Sequence, residues 1–311
     1  MIIIQRYTFD KAIEWNGFVE KSKNSTFMHK RDYMDYHADR FVDHSLMFYN
    51  NSELVAVLPA SLHESELRSH GGLTYGGLII PYSISIQMVL EIFEKLKDYL
   101  KENGFLSLLY KRVPLIYYQY PSDEDLYALF RIGAKLVRRD ISTTIYIPNK
   151  IKFSDRRKRG VKTAIKQQII VKQTNDYDTY VQLLTEILSK YHNVKPVHTA
   201  SELKLLADRL PENIKLFSAF KENRMLAGVL VYVTNRVAHA QYIVNSDEGR
   251  KCGALDAVMN YLINEQFTDK EYFDFGISTE ESGRYLNEGL VTQKQEFGGR
   301  GIVYDFYEIK V

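Results

Sequence analysis

The chain reads as an α/β protein (α+β mixed sheet) in two domains, each a mixed, mostly antiparallel sheet flanked by helices. Three observations predict this. Its 311 residues are about twice an ordinary domain. Short segments rich in Ile, Val, Tyr and Phe alternate with segments whose apolar residues recur every three to four positions. The order of segments in the first half also returns in the second: helices, a hairpin, a third strand, a long helix, a strand, a short helix ending at Gly, a final strand. The repeat is one of architecture, not of residue identity.

In the first half, a strand at Ile2–Tyr7 precedes an amphipathic helix over about 10–21 and a short helix near 30–37. Strands at Leu46–Tyr49 and Leu54–Ala60 flank Asn50-Asn51-Ser52, which is hairpin turn chemistry. The run Gly71-Gly72-Leu-Thr-Tyr-Gly-Gly leads into Leu78-Ile79-Ile80, stopped by Pro81. Ile86, Val89, Leu90, Phe93, Leu96 and Leu100 give Ser85–Asn103 a helical stripe that Gly104 ends. A strand at Phe105–Tyr110, a helix at Asp123–Arg131 capped by Gly133, and a strand at Lys135–Ile147 complete the unit. Pro148-Asn149-Lys150 reads as the seam, dividing residues 1–149 from 150–311.

The second half opens with a helix at Ser154–Gln168, a strand at Ile169–Gln173, and helices at Tyr177–Tyr191 and Ser201–Arg209. Strands follow at Ile214–Lys221, Met225–Thr234 and Val237–Val244, joined by the turns Glu222-Asn223-Arg224 and Asn235-Arg236. A helix at Ala254–Phe267 leads to a strand at Glu271–Phe275, a short helix near 280–287, and a last strand at Ile302–Lys310.

The formal net charge of +2 gives the molecule as a whole no nucleic-acid signature. Cys252 is the only cysteine, which rules out an internal disulfide and any zinc site built on paired thiolates. The histidines, His239 among them, show no metal-ligand spacing, so no metal is expected. Met1-Ile-Ile-Ile meets Arg6, Asp10 and Lys11 too soon to be a signal sequence, and no apolar run reaches the ~18–20 residues of a membrane span. The expectation is a cytoplasmic protein, monomeric or homodimeric.

Four stretches of the second half carry chemistry. The run Arg156-Arg157-Lys158-Arg159-Gly-Val-Lys162 is strongly basic: a solvated helix face, or a landing strip for phosphates. The strand Val237–Val244 is followed by Asn245-Ser-Asp-Glu-Gly249-Arg250-Lys251-Cys-Gly253-Ala254. Then come Phe273-Asp274-Phe275-Gly276-Ile-Ser278 and Lys294-Gln-Glu-Phe297-Gly298. The element order, with these four stretches, resembles the GNAT acyltransferase fold in the tandem, Fem-like arrangement. That branch contains peptidoglycan aminoacyltransferases and related bacterial surface-polymer acyltransferases. The resemblance spans most of the chain in element order, with its residue signatures in the second half. The usual Gln/Arg-x-x-Gly-x-Gly/Ala of GNAT proteins is here Arg250-Lys-Cys-Gly-Ala-Leu255, and the helical-hairpin arm of some Fem-like enzymes has no counterpart.

The resemblance implies two tandem GNAT-like domains, the first shaping an acceptor cleft and the second holding donor and chemistry. It implies an acyl-CoA donor (acetyl-CoA or another). Its pyrophosphate would lie at a helix amino end near Ala254, against Gly249, Arg250, Lys251 and Gly253, with its pantetheine arm along Tyr242 and Val244. Tyr285, in Tyr285-Leu-Asn-Glu-Gly289-Leu290, resembles the general acid that protonates a leaving thiolate. Lys294 would hold a phosphate or a developing oxyanion. Asp274 either faces a cleft or caps a strand end, and His239 either relays a proton or packs. The reading is an N-acyltransferase acting on an amino group of a sugar or cell-surface polysaccharide precursor. Its rivals are an aminoacyltransferase using aminoacyl-tRNA, for which the basic run would bind tRNA, and a catalytically silent binding module.

Overall fold

The computed structural model describes residues 1–192 and 194–311. The chain forms two compact units: Met1–Ile141 with Glu281–Tyr285 and Val303–Val311, and Ser142–Glu280 with Leu286–Ile302.

In chain order the elements are β1 (Ile2–Arg6), α1 (Ala12–Glu20), α2 (Arg31–Met34), β2 (Val42–Asp43), β3 (Leu46–Asn50), β4 (Glu53–Leu58), β5 (Ser61–His63), β6 (Glu66–Arg68), α3 (Ile86–Glu102), β7 (Ser107–Lys111), α4 (Glu124–Arg131) and β8 (Lys135–Tyr146). There follow α5 (Asp155–Lys166), β9 (Ile170–Thr174), α6 (Tyr177–His192), α7 (Ala200–Arg209), β10 (Ile214–Lys221), β11 (Arg224–Val233), β12 (Val237–Asn245), α8 (Asp247–Cys252) and α9 (Ala254–Tyr261). The chain closes with β13 (Tyr272–Ile277), β14 (Thr279–Glu280), β15 (Tyr285–Leu286), α10 (Glu288–Gln295) and β16 (Arg300–Lys310).

In the first unit β1, β3 and β4 make an antiparallel sheet, and β5, β6, β7 and the end of β16 lie side by side in another. Here β6 and β7 are parallel, and the other pairs are antiparallel. Helix α3 forms where the apolar stripe predicts. Ser85 caps it by accepting from the Met88 N–H, and Val89, Ile92, Phe93, Leu96 and Leu100 are buried. They pack with Phe48, Leu58, Leu67, Leu108 and Tyr110. The chain division falls inside β8, between Ile141 and Ser142. Val303–Val311 returns to the first unit because Phe306–Lys310 pairs with β7.

The second unit is a sheet in the order β8-β13-β12-β11-β10-β9, β8 contributing residues 142–146, antiparallel throughout except for β12 beside β13. Helix α9 buries Leu255, Val258 and Met259 against Val229, Val231 and Phe217 of this sheet. Ala238 and Ala240 of β12 and Phe273 and Phe275 of β13 belong to the same core, which anchors both strands of the parallel pair.

Two helices differ from expectation. The one foreseen at 254–267 starts earlier, as α8 behind a Ser246 cap, and is interrupted by Gly253 in the left-handed region (φ 74°) before α9. The one foreseen at 280–287 is a small β14–β15 hairpin. Glu281, Ser282 and Gly283 all have positive φ, and a run of left-handed residues cannot continue a right-handed helix. The helix forms afterwards, as α10, capped by Asn287 accepting from the Leu290 N–H.

Candidate active site at a strand fork

The site is built where β12 and β13 separate. They pair in parallel over three positions only: Val237↔Tyr272, Ala238↔Phe273 and His239↔Asp274. Each strand then bulges. On β12 the register against β11 slips between Ala240, opposite Val231, and Tyr242, opposite Leu230, leaving Gln241 as the extra residue. On β13 the register against β8 slips between Asp274 and Ile277, around Gly276 at φ +77°. Among the described residues, the edge of β12 from Ala240 onward therefore has no strand partner on its β13 side.

His239 and Asp274 are the last parallel pair, and they are joined: His239 Nδ1 lies 2.7 Å from Asp274 Oδ2. Asp274 is fully buried. Its Oδ1 accepts from Ser142 Oγ at 2.5 Å and from Thr144 Oγ1 at 2.7 Å, both on β8. Burial pushes this carboxyl up, but the hydrogen bond and charge of His239 and the two hydroxyls outweigh it and hold Asp274 at about 2. A carboxylate that is only an acceptor fixes the imidazole tautomer. Nδ1 carries the proton, and Nε2 keeps a lone pair in the neutral ring. A Cβ on Gly276 would stand 3.4 Å from His239 Cε1 and 4.0 Å from Nε2, so glycine there leaves this edge of the ring uncrowded. The arrangement is that of an oriented general base.

Lys294 completes the frame. It is buried, and its ammonium donates to the carbonyls of Gly276 (2.8 Å) and Ile277 (2.7 Å). Burial lowers it to about 8 against the restoring charge of Asp274. Through these two bonds Lys294 ties α10 to the bulge of β13.

The other expected residues fall in three places. Tyr285 lies on β15, half exposed, in the segment that belongs with the first unit. Tyr242 and Val244 lie on the part of β12 beyond its pairing with β13. The Tyr242 hydroxyl meets His198 Nδ1 at 2.6 Å, its carbonyl accepts from Tyr180 at 2.9 Å, and Val244 is buried. The third place is that of the expected phosphate seat. Gly253 is pressed against α5, where a Cβ would come 2.2 Å from the Gly160 carbonyl oxygen, and Ala254 is fully buried. That helix start is closed by another helix. Gly249 serves packing too, its N–H donating to Ser246 Oγ and its missing Cβ making room for the Leu226 carbonyl. The first turn of α8 is already neutralised by Asp247 and Glu248, which pair with Lys190 and Arg224. Arg250 and Lys251 remain exposed, Arg250 stacking over Tyr191 at 4.5 Å. In the basic run, Arg157 is turned inward to Asp256 (3.0 Å) and Glu296 (2.7 Å), over the Phe297 ring. Arg156, Lys158, Arg159 and Lys162 stay exposed.

Ser142 and Thr144 were not legible as site residues, since they come from a strand some 130 positions before Asp274. The pairing of His239 with Asp274 needed the parallel register, which spacing alone does not supply.

No family model and no curated protein matches the sequence. Solved structures do match its fold. The crystal structure of FemX superposes with a TM-score of 0.69 at 11% identity, over 99% of this chain and 97% of that one. The C-terminal domain of a putative lysylphosphatidylglycerol synthetase from Agrobacterium fabrum gives 0.64 at 10% identity, over 97% and 92%. A tandem GNAT protein from the clavulanic acid biosynthesis pathway gives 0.54 at 9% identity, over 100% and 98%. The chain has the tandem GNAT fold in its Fem-like form. At these identities the likeness is one of fold.

Proposed function

We propose that the protein is an N-acyltransferase that moves an acyl group from coenzyme A to an amino group of a sugar or cell-surface polymer precursor. The observation that carries this reading is the His239–Asp274 pair at the point where β12 and β13 part. Amide formation needs a neutral amine. His239 Nε2 takes its proton, and Asp274 stabilises the imidazolium that results. The amine nitrogen attacks the thioester carbonyl, the C–S bond breaks, and the thiolate leaves with a proton, for which Tyr285 is the proposed donor. The unpaired edge of β12 suits the amides of a pantetheine arm, which would add to it like a strand. With the seat at Ala254 closed, donor phosphates would rest on the side chains of Arg250 and Lys251.

A second reading, transfer from aminoacyl-tRNA, is favoured by one observation: the exposed Arg156, Lys158, Arg159 and Lys162 on one helix. Calorimetry with acetyl-CoA and with aminoacyl-tRNA separates the two. Saturable acetyl-CoA binding, with CoA released on adding amino sugars, supports the first. Salt-sensitive tRNA binding with acetyl-CoA ignored supports the second. If the protein binds neither, both transferase readings fall and a silent ligand-binding module is left.

A further inference from the structure

Past the fork, β12 carries a second polar pair on the same face as His239. The register against β11 fixes that face. Tyr232 lies opposite His239 and Leu230 opposite Tyr242, so the bulge at Gln241 returns Tyr242 to the side of the sheet that His239 occupies. A spacing of two strand positions on β11 sets the two residues about 7 Å apart along the sheet. The opposite face of this stretch is closed, because Ala238, Ala240 and Phe273 belong to the apolar core under α9. Polar chemistry at the fork is therefore turned to the His239 side.

Tyr242 is fixed at both its ends. Its hydroxyl lies 2.6 Å from His198 Nδ1, the two rings meeting edge-on with centroids 5.6 Å apart. Its carbonyl accepts from the hydroxyl of Tyr180, a fully buried residue of α6, at 2.9 Å. His198 is itself buried and directly precedes Thr199, whose side chain caps α7 by accepting from the Glu202 N–H. The imidazole is thus set by a helix start, and it in turn sets the phenol. Tyr242 and His239 both keep part of their surface open. With His198 Nδ1 donating to the Tyr242 oxygen, the phenol's own proton is directed away from His198.

We propose that Tyr242, positioned by His198, donates a hydrogen bond to the carbonyl oxygen of the reacting thioester, an assignment that rests on the acyl-CoA reading. As the amine nitrogen bonds to the carbonyl carbon, the C=O electron pair moves to oxygen, and the Tyr242 hydroxyl meets the charge that forms there. On collapse the pair returns, the C–S bond breaks, and Tyr242 keeps its proton throughout. The role is separate from the proton transfers given to His239 and Tyr285.

Two measurements test it. In the first, acetyl-CoA labelled isotopically at its carbonyl is bound without acceptor and followed by infrared difference spectroscopy. The carbonyl band should move to lower frequency on the parent and return towards its free position on Tyr242→Phe. In the second, with amino sugars as acceptors, Tyr242→Phe should lower turnover on the order of 10²-fold. CoA, which has no acyl oxygen, should bind the variant as it binds the parent. His198→Phe should act in the same direction, and the double variant should be no slower than Tyr242→Phe alone, because His198 works through the tyrosine. Tyr99→Phe breaks a comparable pair with His44 (2.8 Å) in the first unit and should leave band and turnover parental. If Tyr242→Phe keeps the parental band and turnover, or loses only melting temperature, the assignment is overturned while acyl transfer stands. Additive losses in the double variant overturn the part given to His198. Acetyl-CoA that the parent does not bind overturns the acyl-CoA reading, and this assignment with it.

Discussion

At the scale of single residues, Asp274 decides most. It is ionised because three donors outweigh its burial, and that makes it a stability group as well as an orienting one. With a folded value near 2 against an ordinary 3.8, its contribution is complete above pH ~4 and lost as pH falls through ~2. Asp274→Asn should therefore flatten the acid limb of stability by roughly 2 kcal/mol, as measured by urea unfolding between pH 5 and 2. In the transferase reading, His239→Gln should cut turnover on the order of 10²-fold with donor affinity nearly unchanged. Tyr285→Phe tests the proton donor in the same way, and unchanged turnover would remove it from the mechanism. Lys294 titrates with the opposite sense. Its folded value near 8 lies below the ordinary 10.5, so the unfolded chain binds more protons between them and stability rises with pH there. Compared with Lys294→Met, the parent should gain roughly 3 kcal/mol more between pH 8 and 10.5. An identical pH slope in the two proteins would contradict the burial of that ammonium.

At the scale of elements, the glycines read as phosphate-binding are packing devices. Gly253 combines a left-handed φ with a carbonyl oxygen 2.2 Å from where a Cβ would be, so α5 and α9 meet without side chains between them. Gly253→Ala should lower the melting temperature by several degrees, since strain and overpacking together cost about 2–3 kcal/mol. Calorimetry showing an unchanged transition would mean that the helices can part at no cost. The elements with strong periodicity were legible: α3 from its stripe, and the β10–β11–β12 meander from its turns. The hairpin at 279–286 was not, because Glu281 and Ser282 adopt positive φ, which nothing in their residue types demands.

At the scale of the whole molecule, the architectural repeat was legible, and so were Asp274 and Lys294 as residues of interest. What they touch was not. Asp274 draws partners from β8 and β12, and Lys294 donates to the carbonyls of Gly276 and Ile277. Of the glycine-and-arginine pattern, packing accounts for Gly249 and Gly253, while Arg250 and Lys251 stay exposed. Three residues of parallel pairing occur in both units, and in the second they end on an imidazole–carboxylate pair. Because net charge is close to zero, any tRNA affinity would have to come from α5. Reversing Arg156 and Arg159 to Glu should then abolish it without changing acetyl-CoA binding.

The return of Val303–Val311 to the first unit bears on how the chain is made. A ribosome delivers the partner of β7 almost two hundred residues after β7 itself, so the earlier-born unit must wait with an open sheet edge while the later one is synthesised. Nascent chains stalled near residue 300 should be captured by holdase chaperones through that edge, and release of the last ten residues should end the capture.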